Sequence, residues 1–441
     1  MFKYFKFMLV LSLILSFIFS YVPQGFAATD EEIQALKVQV RELMQRIDKL
    51  EAGQEQAKAD VAKAKEEVAK VKEASAKESA ARVDLANTLS KLKMKGRWAA
   101  GYFDSGKAGS YPSGSFEVPE AKLQFSFQPD DINTIVMRFN LNNATANSPL
   151  LDYLYLQSKD FLPFLKNTPY SISGRLGRFK LGFGEETWSN NLVESVVPSN
   201  SAGNVGVSDE GLELAGKVDL NKLGLKPLKP LGWVFSVSDG NSGVGSDTTG
   251  AKAFMGKLYY SPIDPLYLSA SYYNSGHLKA NNAEMSIAGL VSPPSGTTKW
   301  GRTVWEVDAR YDIGKGKKPL EPIAYSDSKA IVRLSYGQFD DHVTGADDRN
   351  GQFGFVEGAY NLNKKFFTAA RYSIVDLDDG QTASLNTITS NQYQRYSLGL
   401  GYRWSENTII KVGYDWNKES KVSSTTDKHN DLLSAVVASQ F

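Results

Sequence analysis

Arg395-Tyr-Ser-Leu-Gly-Leu-Gly-Tyr-Arg-Trp404 is followed, after Ser405-Glu-Asn407, by Thr408-Ile-Ile-Lys-Val-Gly-Tyr-Asp-Trp416. In the first run Tyr396, Leu398, Leu400, Tyr402 and Trp404 alternate with Arg395, Ser397, Gly399, Gly401 and Arg403. In the second, Ile410, Val412, Tyr414 and Trp416 alternate with Lys411, Gly413 and Asp415. Successive side chains of a strand point to opposite faces, so each run predicts a strand with one apolar and one polar face. Runs of about ten residues exceed the usual soluble strand and match a tilted strand crossing a bilayer. Aromatic residues at the ends of the apolar face suit the boundary between lipid and water.

The same period recurs upstream. Ala121, Leu123, Phe125 and Phe127 alternate with Lys122, Gln124, Ser126 and Gln128, and Ile135, Met137, Phe139 and Leu141 with Arg138, Asn140 and Asn142. Trp305, Val307, Ala309 and Tyr311 interleave with Glu306, Asp308, Arg310 and Asp312, and Val332, Leu334 and Tyr336 with Arg333 and Ser335. Sixteen candidate strands begin near Gly96, Glu117, Ile132, Pro149, Tyr170, Glu210, Leu231, Ala251, Pro265, Gly301, Ser328, Gly351, Lys365, Gln392, Asn407 and Asp431. Tight turns such as Gln128-Pro-Asp-Asp131, Pro262-Ile-Asp-Pro265, Asn361-Leu-Asn-Lys-Lys365 and Ser405-Glu-Asn407 fall at one end, although the connections near Lys159, Leu225 and Lys317 at that end are longer. The other end carries long polar loops, notably after Gly184, Asn274 and Leu377. An even strand number with both chain ends beside the short turns is the rule for bacterial single-chain barrels. The predicted fold class is all-β, a sixteen-stranded antiparallel transmembrane β-barrel over residues 96–441, preceded by an α-helical coiled-coil stalk.

The stalk is predicted from a different period. Lys3 and Lys6 precede an apolar run from Phe7 to Val22, and Gly25-Phe-Ala27 offers a small-x-small cleavage site, so residues 1–27 are expected to be a secretory signal peptide. Over residues 28–78, Ile33, Val40, Ile47, Val61 and Val68 fall seven or fourteen apart, with Leu36, Leu43 and Leu50 three residues after the first three. Such a narrow seam with charged flanks predicts a periplasmic coiled coil, which needs partner helices, most simply copies of the same chain. β-branched residues with Leu lean towards two strands, while the Ala-rich second half is compatible with other numbers. Residues 79–95 lose the repeat and are assigned to a linker.

Composition excludes several function classes. A net charge of +1 gives no field directed at nucleic acid. With no cysteine, the chain has no disulfide, no thiolate metal site and no lipidated cysteine. His277, His342 and His429 stand in predicted loops without metal-ligand spacing, and no nucleophile elbow is present. No catalytic residue, metal or cofactor is therefore expected. Asp340-Asp341 and Asp347-Asp348 are taken as a solvated loop tip.

Four stretches carry a family resemblance: Gly177-Arg-Phe-Lys-Leu-Gly-Phe-Gly184, Asp209-Glu-Gly-Leu-Glu-Leu-Ala-Gly-Lys217, Phe235-Ser-Val-Ser-Asp-Gly240 and Ala369-Ala-Arg-Tyr-Ser373. They resemble trimeric outer-membrane porins, and more narrowly the phosphate-selective porin O/P family and related porins with a periplasmic coiled coil. The terminal Phe441 is similar to the C-terminal signal of outer-membrane proteins, although Ser439 stands where that pattern prefers an aromatic. The resemblance implies a homotrimer among outer-membrane lipid and lipopolysaccharide, with the third external loop narrowing each pore. Phosphate members line that constriction with basic residues, whereas residues 185–209 contain no Lys or Arg.

On this reading the polar strand face lines the lumen and carries Lys122, Arg138, Arg178, Lys180, Lys217, Arg310, Arg333, Arg371, Arg395, Arg403 and Lys411. Arg175 has the opposite parity to Arg178, so one of the two is expected outside the membrane band. The loop supplies Glu185, Glu186, Glu194 and Asp209 opposite the bases. Acid on the loop and base on the wall predict a charge filter, mildly anion-leaning, for passive diffusion of small hydrophilic solutes. The stalk would offer a surface to peptidoglycan or a periplasmic protein. The rival reading is a stalked adhesin or envelope tether with a closed barrel; an outer-membrane enzyme of the lipase or protease kind ranks behind it.

Overall fold

The computed structural model describes residues 91–142, 150–189, 191–240, 250–314, 328–386, 388–420 and 429–441. The predicted signal peptide, the coiled coil with its seam from Ile33 to Val68, and linker residues 79–90 lie outside these ranges. Sixteen long strands make up the wall. The first eight are β1 (Leu92–Asp104), β2 (Ser115–Phe127), β3 (Asn133–Asn140), β4 (Leu151–Lys159), β5 (Tyr170–Lys180), β6 (Ser208–Val218), β7 (Leu231–Ser238) and β8 (Ala253–Tyr260). The second eight are β9 (Leu266–Asn274), β10 (Lys299–Ile313), β11 (Ala330–Thr344), β12 (Arg349–Asn361), β13 (Phe366–Leu377), β14 (Gln392–Arg403), β15 (Thr408–Ser420) and β16 (Leu432–Gln440). Each pairs antiparallel with its neighbours in sequence, and β1 also pairs with β16 from Arg97 opposite Gln440 to Asp104 opposite Leu433. The barrel is closed. Closure satisfies every edge, which a sheet surrounded by lipid requires. β1 begins at Leu92, inside the stretch assigned to the linker.

Alternation explains which side faces out. In β14, Tyr396, Leu398 and Leu400 are exposed while Arg395, Ser397 and Gly399 are buried. Leu176, Leu212, Val307, Leu334, Val356 and Val412 continue the exposed set around the wall. Water-soluble monomers rarely carry a contiguous apolar surface larger than a few hundred Å², so this belt fits hydrocarbon. Aromatic rows border it. Tyr372, Tyr396 and Trp416 stand in register across three strands, and Phe366 pairs with Tyr402 nearer the tight turns. No helix among the described residues is long and apolar enough to cross a membrane; the crossing elements are strands.

The last residue seals the seam. Gly96 donates to the Phe441 carbonyl at 3.0 Å and accepts from its amide at 2.9 Å. A Cβ on Gly96 would meet the Phe441 ring at 2.2 Å, so glycine makes room for the terminal aromatic.

Candidate functional site

The interior is organised by residues 181–189 and 191–207, which follow β5 and run inside the barrel. Leu181, Phe183, Val205 and Val207 share a buried cluster with Met255, Tyr273, Phe339 and Phe353 of the wall. Val193, Val196 and Val197 share a second with Ala99, Ile331, Phe367 and Ile409. Val197 and Pro198 press on glycines: a Cβ on Gly399 would lie 2.8 Å from Val197, and one on Gly413 would lie 2.7 Å from Pro198. Small residues on the polar face of β14 and β15 are what let the loop approach so closely.

Polar anchors fix the remainder. Lys257 donates to the Gly184 carbonyl at 2.7 Å and pairs with Glu185, which also accepts from Tyr267 at 2.6 Å. The turn Glu186–Ser189 follows; Glu186 accepts from the Ser201 amide at 2.8 Å, bridging the two limbs of the loop. Arg333 donates to Ser189 at 2.7 Å, Arg371 to the Ser199 carbonyl at 2.9 Å and Arg395 to the Asn200 carbonyl at 2.8 Å. Lys411 donates to the Ser195 carbonyl at 2.8 Å, and Ser199 to Asp415 at 2.9 Å. Behind these, Glu357 holds Arg333 at 2.7 Å and Arg371 at 3.4 Å.

Open space remains along β1–β5. A cavity of about 880 Å³ is lined there by Arg97, Glu120, Lys122, Arg138, Asp152 and Lys180, with Arg395, Glu194 and Glu284 on its other sides. A second, of about 510 Å³ at the tight-turn end, is lined by Lys95, Arg97, Lys122 and Arg138 without an acidic side chain. Arg97, Lys122 and Arg138 are common to both. Their partners are few: Glu120 pairs with Arg97, and Asp152 takes Lys122 at 3.0 Å and Arg138 at 2.8 Å. The Arg138 guanidinium also lies 3.6 Å over the Tyr153 ring.

These placements revise the expected site. Of the eleven basic residues, Lys122, Arg138, Lys180 and Arg395 line the larger cavity. Arg310, Arg333, Arg371 and Lys411 are inward but buried, held by Asp312, Glu357 or loop carbonyls. Lys217, which is exposed, lies near the tight-turn end, as does Arg403, which donates to Asn361 at 2.7 Å. Arg178 stands opposite the outward Leu154 yet is buried, paired with Glu210 at 3.0 Å; Arg175, of the other parity, pairs with Glu213 and lies over Phe179. Lys180 escapes the parity of Arg178 because it lies beyond the last β4 rung, where the chain turns inward. The acids change most. Glu185 and Glu186 are anchors, and Asp209 is fully buried, accepting from the Gly240 amide at 2.6 Å; only Glu194 of the four borders the cavity. Charged groups beside low-dielectric walls are retained where partners satisfy them, so loop acids near strand ends bond to the wall they first meet.

Asp340-Asp341 is no solvated tip. Both belong to β11, and Asp341 is fully buried between Arg302 and Arg349. Arg97 lies outside the expected set, although its alternation with the exposed Trp98 marks it as inward.

No family model matches the chain, and no curated protein matches its sequence. Solved structures do. The chain is similar to the outer-membrane channel DcaP of Acinetobacter baumannii, with TM-score 0.51, 12% identity, and coverage of 79% of this chain and 97% of that one. It is similar to the anion-selective porin of Comamonas acidovorans, with TM-score 0.50, 11% identity and coverage of 79% and 99%. The trimer form of OmpT, an outer-membrane protein of Vibrio cholerae, gives TM-score 0.50, 10% identity and the same coverage of 79% and 99%. At such identities the likeness speaks for architecture: this chain has the sixteen-stranded closed barrel found in outer-membrane porins.

Proposed function

We propose that the protein is an outer-membrane porin that lets small hydrophilic solutes diffuse passively, with a mild preference for anions. The observation that carries this reading is a pair of cavities inside a closed barrel with an apolar belt, one along β1–β5 and one at the tight-turn end beside β1–β3, sharing Arg97, Lys122 and Arg138. Residues 181–189 and 191–207 fill the opposite side of the interior and narrow the path to that wall. Base exceeds acid in the linings, and a narrow aqueous channel focuses the field of its wall charges. Residues 185–209 carry no cation, and the cations at the shared lining are paired in part. A charge filter therefore fits better than a dedicated phosphate site. In the same proposal the heptad segment is a periplasmic stalk joining a homotrimer, and one of the similar structures is described as a trimer form. No catalytic role is assigned. Swelling of liposomes containing the purified protein tests the porin reading: the rate should fall as sugars of increasing size are supplied. Swelling no faster than protein-free vesicles would refute it.

Glu284 makes the preference pH-dependent. Burial pushes its carboxyl up to about 8, against the opposing effects of the hydrogen bond from Tyr273, the Met285 amide and the charge of Arg302; Asp209 acts in the same direction as burial. Below that pH it adds no charge to the cavity, and above it adds a negative one. Anion preference is expected to weaken as pH rises from 7 to 9, and Glu284→Gln to reduce the change. Reversal potentials at both pH values check this; an equal pH response in the variant would contradict it.

A further inference from the structure

A second loop enters the barrel. Between β9 and β10, Met285 and Ile287 are fully buried and Leu290 nearly so, in the cluster that receives Leu181, Phe183 and Val205. Ser286–Ile287 forms an antiparallel pair with Val205–Gly206, and the Ala288 amide donates to the Asn204 carbonyl at 3.1 Å. The two loops are thus strand-paired to each other inside the wall. Glu284, Ser286 and Val291 border the larger cavity, so this second loop is one of its sides.

What holds it is a buried charge cluster. Arg302 of β10 is 1% exposed and grips Asp341 of β11 at 2.6 and 2.8 Å. Its remaining nitrogen donates to the carbonyls of Met285 and Leu290, the latter at 2.6 Å. Arg349 of β12 pairs with the same carboxylate at 2.6 Å and donates to the Ser292 carbonyl at 2.8 Å. Buried ion pairs gain little stability over well-packed apolar residues of the same volume. An apolar replacement would not, however, reach the three loop carbonyls. The cluster fixes a position.

We propose that Arg302, Asp341 and Arg349 are positioning residues that hold residues 284–292 across the interior as a second wall of the channel, so that two docked loops jointly set its width. The inference rests on the channel reading and deepens it. It makes Arg302 a determinant of conductance although the residue does not border the cavity.

The chain has no cysteine, so an engineered pair can report the docking. Gly206→Cys with Ser286→Cys is suited to it, because these residues face each other in the short ladder and a Cβ at Gly206 meets nothing within 4 Å. In the full-length protein, oxidation should join the loops, seen as a reducible mobility shift on a denaturing gel. Adding Arg302→Gln should cut the cross-linking yield in a timed oxidation and raise single-channel conductance. Oxidising that triple variant to completion should return conductance towards the value of the cysteine pair alone. Failure of the pair to cross-link with Arg302 present would overturn the proposal, as would unchanged yield and conductance in the triple variant. If Arg302→Gln does not insert, replacing residues 280–289 by a Gly-Ser linker keeps the wall intact and must itself raise conductance. A parent protein that forms no channel would refute the porin reading instead, while the cross-linking yields still report whether Arg302 holds the loop.

Discussion

Replacing Arg97, Lys122 and Arg138 together by Gln is expected to turn a mild anion preference into a cation preference, read as a reversal potential of opposite sign across a KCl gradient. Around the lining common to both cavities the three cations face Glu120 and Asp152, a local balance of three minus two, or +1. Removing the cations leaves −2. Mobile ions screen charge over about 8 Å at physiological ionic strength, so the change should be larger in dilute salt. The single variants should move the potential by smaller amounts in the same direction. A triple variant that still prefers anions would place the filter elsewhere, with Lys180 and Arg395 the next cations in the cavity to test.

Glu357→Ala should be the most destabilising single substitution in the loop anchors. The carboxylate is 2% exposed and lies between Arg333 and Arg371, which grip the loop at Ser189 and Ser199. Without it two guanidinium groups remain in the interior, with Glu186 at 3.7 Å from Arg371 as the nearest remaining acid. Breaking a buried pair by removing one partner costs about 3–5 kcal/mol. The denaturant midpoint of the protein in detergent should fall accordingly, and the channel should become noisier as the loop loosens. Glu357→Gln keeps a hydrogen-bond acceptor and should fall between. An unchanged midpoint in both would mean that the cluster carries no load.

The wall was legible because its signal is local. Period-two alternation in runs such as Tyr396 to Trp404 fixes each strand's faces without reference to any partner, and all sixteen strand starts fall within four residues of those expected. The interior is a different problem. Lys411 and Ser195 are 216 residues apart in sequence, as are Asp415 and Ser199, and nothing local marks them as partners. Sequence pattern separates bases on the wall from acids on the loop but not anchors from lining. Glu185 and Glu194 look alike until one is seen on Lys257 and the other beside the cavity. Asp341 escapes local pattern for a subtler reason. Alternation through Gly337, Phe339 and Asp341 continues past the point where a ten-residue strand would stop, and β11 is fifteen residues long.

The most direct test of the account is single-channel recording of the purified full-length protein in a planar bilayer, with insertion verified independently by flotation with liposomes. Discrete, reproducible conductance steps are the predicted result, grouped in threes if the homotrimer is right. Protein that inserts and gives no steps would mean that the loops close the barrel, and would contradict the channel.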